Sequence, residues 1–81
     1  MDVSIEFLGA QHSIARTKSV RMPINGDTLA ADALKFVREK YPSLGLEGDS
    51  IFITVNHRVV SHDTLLKEND TVAFMPHIGG G

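Results

Sequence analysis

The chain contains no cysteine. That excludes disulfides, a thiolate nucleophile and a cysteine metal site, and it fits a reducing compartment. A strong charge of either sign is also missing. Eight Lys and Arg stand against ten Asp and Glu, for a net charge of −2, which is no electrostatic footprint for nucleic acid or an acidic membrane. No segment approaches the roughly 18 consecutive apolar residues of a membrane span. The opening Met1-Asp2-Val3-Ser4-Ile5-Glu6 carries two acids and no apolar run, unlike a signal peptide. These absences lead to the expectation of a soluble cytoplasmic domain. With 81 residues the chain is one domain, and a domain this small, burying about 60% of its unfolded surface, has no room for a deep substrate cavity.

What is present is alternation. Val3, Ile5 and Phe7 alternate with Ser4 and Glu6 in a half-buried strand that Gly9 ends, and Leu8 falls on the opposite face. Gln11 to Lys18 is polar and weakly patterned, and reads as a hairpin connection. Val20, Met22 and Ile24 form a second strand, which Pro23 shortens or confines to a sheet edge. Asn25-Gly26-Asp27 is turn chemistry. A helix follows, with Thr28 or Asp27 as N-cap. Its apolar stripe is Ala30, Ala33, Leu34, Val37 and Tyr41, and Pro42 stops it. Ser43 to Asp49 is a loop with at most one helical turn. Ile51, Ile53 and Val55 make a third strand, Val59-Val60 a short fourth, Thr64-Leu65-Leu66 a small helical turn, and Val72 and Phe74 a last strand. A hairpin, one crossover helix and further strands predict an α+β fold of the β-grasp type: a mixed sheet with the first and last strands paired at its centre.

The expected domain covers residues 1–75, and residues 76–81 form a tail, Pro76-His77-Ile78-Gly79-Gly80-Gly81. Such an end is either a frayed or artificial terminus or a working part. As a working part it has a mechanism. Six extended residues reach about 20 Å, and glycines are thin enough to thread a narrow channel. The terminal carboxylate is ionised at neutral pH and can attack the α-phosphate of ATP supplied by a partner. The resulting acyl-adenylate is open to sulfur attack, giving a thiocarboxylate, or to lysine attack, giving an isopeptide. Such a chain needs no catalytic residue of its own, and the sequence offers no triad and no phosphate loop.

Val55-Asn56 leading to Val60, then Asp63, Leu66, Asp70, Val72-Ala73-Phe74, Pro76 and Gly80-Gly81, resembles in order and spacing the MoaD/ThiS family of ubiquitin-like sulfur carriers, and within it the molybdopterin synthase small-subunit branch. The helix ending in Tyr41-Pro42 fits as well. The resemblance implies that a ubiquitin-activating-type adenylyltransferase charges Gly81 with AMP, with ATP and Mg held by that partner and no cofactor bound by this chain. A persulfide sulfur donor would make the thiocarboxylate. Pro76, His77, Ile78, Gly79 and Gly80 would then thread into the large subunit of molybdopterin synthase, where sulfur passes to a pterin precursor. The family's R-E-L-x-G pattern is missing from Ala10 to Lys18, and His77 and Gly79 depart from the usual tail. Alternatives are a carrier for thiazole synthesis and a protein modifier conjugated through Gly81.

Leu8, Val59 and Met75 are apolar residues out of phase with the core. Scattered, they need no explanation; converging beside the tail they would form a partner-docking patch. His12, His57, His62 and His77 lack ligand spacing for zinc, so no metal is expected. Lys35, Arg38, Glu39 and Lys40 read as a solvated helix face, and Tyr41 and Phe52 as core residues.

Overall fold

The computed structural model describes residues 1–48 and 50–76. In chain order the elements are β1 (Asp2–Glu6), α1 (Ala10–Ala15), β2 (Ser19–Pro23), α2 (Ala30–Lys40), a 3-10 turn (Pro42–Leu44), β3 (Ile51–Val55), β4 (Arg58–Val60) and β5 (Thr71–Pro76). Among the described residues the strands form one sheet in the order β2-β1-β5-β3-β4. β1 and β5 are parallel, and the other neighbours are antiparallel. This is the expected mixed β-grasp sheet, with the first and last strands side by side. Pro23 closes β2 at the sheet edge, where its missing N–H costs no ladder bond.

Period-two alternation sends one set of side chains to the core. Val3, Ile5, Ile53, Val72 and Phe74 are wholly buried, and they pack under Ala30, Ala33, Leu34 and Val37 of α2. Burying each large apolar side chain contributes about 1.5–3 kcal/mol, so this layer holds the domain together. Tyr41 is half-buried at its rim, edge-on to Phe7 with ring centroids 5.2 Å apart.

Several connections differ from the sequence expectation. The segment predicted as a plain hairpin connection contains α1, which ends with Arg16 in the left-handed region at φ 61°. The expected helical turn at Thr64-Leu65-Leu66 is instead extended, and Leu65 bridges Leu29. That segment serves the N-terminus of α2. Ala30 N–H donates to Thr64 O and Ala31 N–H to His62 O, at 2.8 and 2.9 Å. Thr28, the expected cap, spends its hydroxyl on Asn25 instead, and Leu29 is the N-cap residue, its N–H bound to the Asp32 carboxylate. The presumed solvated face of α2 is only partly so. Arg38 donates to Leu46 O and Gly48 O, each at 2.6 Å, and so ties the loop to the helix.

Asn56 and His57 join β3 to β4 with φ of 52° and 71°, the paired positive values of a two-residue type I′ hairpin. Asn56 also reaches across to β5. Its Oδ1 accepts from Thr71 N–H and its Nδ2 donates to Asp70 Oδ1, both at 2.9 Å. Alanine at this position should lose both bonds and adopt a strained φ, costing about 2 kcal/mol in urea denaturation. Glycine, which tolerates that φ, should cost distinctly less; equal losses would refute the backbone part of this account. Gly9 sits at φ 53°, ψ −127° with open space around the missing Cβ. Gly9→Ala should therefore destabilise by about 1–3 kcal/mol through backbone strain alone, and an unchanged melting temperature would contradict it.

Candidate functional site

The face of the sheet opposite α2 is the candidate site. Strand parity sends Asp2, Ser4 and Glu6 to this open face, and Leu8 continues the same series past the end of β1. On β5 it carries Thr71, Ala73 and Met75; on β3, Phe52 and Thr54; on β4, Val59. Register then fixes the neighbours: Phe52 opposite Met75, Thr54 opposite Ala73 on one side and Val59 on the other. Val59, Phe52 and Met75 are 62%, 44% and 36% exposed, while Ala73 and Thr54 are buried among them.

The three residues expected to converge therefore share one face. Leu8 and Met75 line the same shallow depression of about 170 Å³, with Ala73 and Thr54 also in its lining and Glu6 and His57 among its polar residues. Val59 joins the patch through Thr54. Phe52, expected in the core, belongs to this face instead. The alternation of Ile51, Ile53 and Val55 already assigns it to the opposite side, and its aromatic character is what misleads.

A second depression, of about 360 Å³, opens where β5 ends. Leu8, Ile14, Leu44, Met75 and Pro76 line it, with no charged residue in the lining. Ile14 of α1 is 48% exposed there. Leu8 and Met75 belong to both depressions, so one apolar surface runs from the open face around to the end of β5. A groove of about 400 Å³ lies elsewhere, between β2 and α2. Three of its polar residues serve the start of α2: Asp32 binds Leu29 N–H, and Asn25 and Thr28 bind each other.

The tail joins this surface at its root. β5 runs through Pro76, which pairs with Ile51, so Pro76 is the last strand residue as well as the first expected tail residue. His77, Ile78, Gly79, Gly80 and Gly81 lie outside the described residues. Among the described residues no three His, Asp or Glu side chains are grouped to hold a metal ion, and no helix is long and apolar enough to cross a membrane. His62 is committed to the fold, its Nε2 donating to Ile51 O at 3.0 Å.

A residue with no functional signal in its local sequence completes the root. Gln11, within the unpatterned segment, is buried and bonds to the backbone of Phe74.

Comparisons with known proteins agree with this architecture. The ThiS family model matches residues 5–81. No curated protein sequence matches significantly. Among solved structures, small archaeal modifier protein 1 (SAMP1) of Haloferax volcanii superposes with a TM-score of 0.78 at 21% identity, each chain covered completely. A Pyrococcus furiosus protein designated molybdopterin converting factor subunit 1 gives 0.79 at 20% identity, over 94% of this chain and 97% of that one. One chain from a complex of subunits 1 and 2 of the molybdopterin-converting factor of Helicobacter pylori gives 0.63 at 20% identity, over the whole of this chain and of that one. At such identities these likenesses establish the fold. The family match spans nearly the whole sequence and reaches its last residue, and on that ground the chain belongs to the ThiS family of ubiquitin-like sulfur carriers.

Proposed function

We propose that this protein is the sulfur-carrying small subunit of a molybdopterin synthase and that Gly81, where the family match also ends, is the carrier group. The observation that supports this best is the placement of the tail root. The central strand β5 ends at Pro76 against an uncharged apolar surface, and the five residues that follow span at most about 17 Å. A protein that takes Gly81 into its own reaction chamber must therefore press against the residues around that root.

The chemistry follows from the carboxylate. One carboxylate oxygen attacks the α-phosphorus of ATP held with magnesium by an adenylyltransferase, and pyrophosphate leaves. The terminal sulfur of a donor persulfide then displaces AMP from the acyl carbon. A second thiol cleaves the new S–S bond, leaving a thiocarboxylate on Gly81 and a disulfide on the donor. In the large subunit the thiocarboxylate sulfur attacks an electrophilic carbon of the pterin precursor and displaces an oxygen leaving group, forming a thioester. Water then cleaves the acyl–sulfur bond, leaving a thiol on the precursor and the carboxylate on Gly81. This chain contributes no acid, base or nucleophile beyond its end, in keeping with the non-catalytic small subunits typical of its family. The patch of Leu8, Phe52, Val59 and Met75 serves as the docking surface. Apolar contact of this kind suits a nearly neutral protein that cannot rely on charge steering.

A second reading is supported by the likeness to SAMP1: conjugation of Gly81 to lysines of other proteins. The family itself also includes carriers for thiazole synthesis.

Intact mass decides first. Incubated with ATP, magnesium, a ubiquitin-activating-type adenylyltransferase and a persulfide donor, the protein should gain the mass difference between sulfur and oxygen. No gain, or natural protein carrying residues beyond Gly81 that are never removed, would sink the carrier role. Lysine-linked adducts would favour the modifier reading. Removing Gly80 and Gly81 should abolish charging while moving the melting temperature by no more than about 1 °C. Loss of folding on that truncation would contradict the model.

Docking is tested by charge. Val59→Asp and Met75→Asp should each weaken binding to the adenylyltransferase about tenfold or more, the scale of a central interface residue. Lys35→Ala, on the exposed side of α2, should leave binding unchanged. If the patch variants bind normally in calorimetry, the docking assignment is wrong.

A further inference from the structure

Past Ala73 the C-terminal strand loses its parallel neighbour. β1 pairs with β5 only between Ser4–Glu6 and Thr71–Ala73, because the chain turns away at Gly9 into α1. On the other edge β3 stays paired with β5 as far as Pro76. The last three residues before the tail thus have a strand on one side only.

Gln11 takes up the vacated side. It is 8% exposed, and its carboxamide joins two backbones far apart in sequence. Nε2 donates to Phe74 O at 2.9 Å, and Oε1 accepts from Leu8 N–H at 3.1 Å. A side-chain amide has one donor end and one acceptor end, so it can stand in for a strand backbone where β1 has departed. Neither bond is easily given up, since a buried polar group without a partner is costly.

We propose that Gln11 is a positioning residue: it sets the direction in which the chain leaves the sheet at Pro76, and hence where Gly81 arrives once a partner has docked. The proposal rests on the sulfur-carrier reading above. The leverage is simple. A tilt of about 20° at the root swings the end of a ~17 Å tail by about 6 Å, while reacting atoms must meet within about 3.5 Å. Holding the root narrows the set of tail paths that enter the partner's channel.

The test uses Gln11→Glu, which keeps the acceptor for Leu8 N–H but offers Phe74 O no donor, and Gln11→Met, which keeps the bulk and neither bond. Each is charged by the adenylyltransferase that charges wild-type protein. No side chain of the docking patch is replaced in either, so KM for the carrier should stay within about twofold while kcat falls about tenfold. A raised KM with unchanged kcat would make Gln11 a support for the docking surface instead, and no change in either constant would equally overturn the proposal. A second measurement needs no partner. By ¹⁵N relaxation, the wild-type Met75 amide should show a rigid order parameter of about 0.85, which Gln11→Met should lower clearly. A mobile Met75 in the wild type, or one unaffected in the variant, overturns the proposal. Wild-type protein that has a rigid Met75 but takes up no sulfur would count against the carrier function and leave the hold of Gln11 on the root standing.

Discussion

The insertion of β5 between β1 and β3 is the contact on which the remaining features depend. It joins the two ends of the chain in a parallel pair, which requires a crossover, and α2 with its apolar stripe covers that crossover. Val72 and Phe74, both wholly buried, complete the core only when this strand is in place. Pairings this distant in sequence carry a loop-closure cost before they contribute stability. The base of the tail is therefore secured by the cooperative stability of the whole sheet and not by a local turn that could fray.

The same alternation that builds the core builds the candidate site. In a strand every second residue must face away from the core, and here Leu8, Phe52, Val59 and Met75 do so without being polar. Single exposed apolar residues are ordinary on a protein surface; several on adjacent strands, around the small residues Ala73 and Thr54, make a shaped apolar surface. β5 contributes Ala73 and Met75 to that surface and Pro76 to its margin, so the candidate patch and the tail root share one strand.

A carrier of this kind assigns its chemistry to partners and keeps the geometry. What it must supply is a firm root, a recognisable surface next to it and a slender end. The root is secured on one edge by the β3 ladder and on the other by one glutamine side chain. The hairpin turn at Asn56 and His57, tied to Asp70 and Thr71, secures the entry of β5. The strand that leads into the tail is therefore anchored at both its ends.

Periodicity alone determined the strands at Val3-Ile5-Phe7, Ile51-Ile53-Val55 and Val72-Phe74, the buried stripe of α2, its end at Pro42 and the edge position of Pro23. Each of these follows from steric and burial rules that act within a few residues. Glycine and strand signals together also pointed to a β-grasp, the fold observed. Tertiary structure decided the rest. α1 has too little periodicity in Gln11–Lys18 to be legible, and it is held by a bond to Phe74, 63 residues away. The first turn of α2 is satisfied by carbonyls of His62 and Thr64, which no local reading of Thr28 could reveal. Parity could place Leu8, Phe52, Val59 and Met75 on one face of their own strands. Only the order β2-β1-β5-β3-β4 made those strands neighbours, because strand adjacency depends on which distant segments bury their apolar faces together.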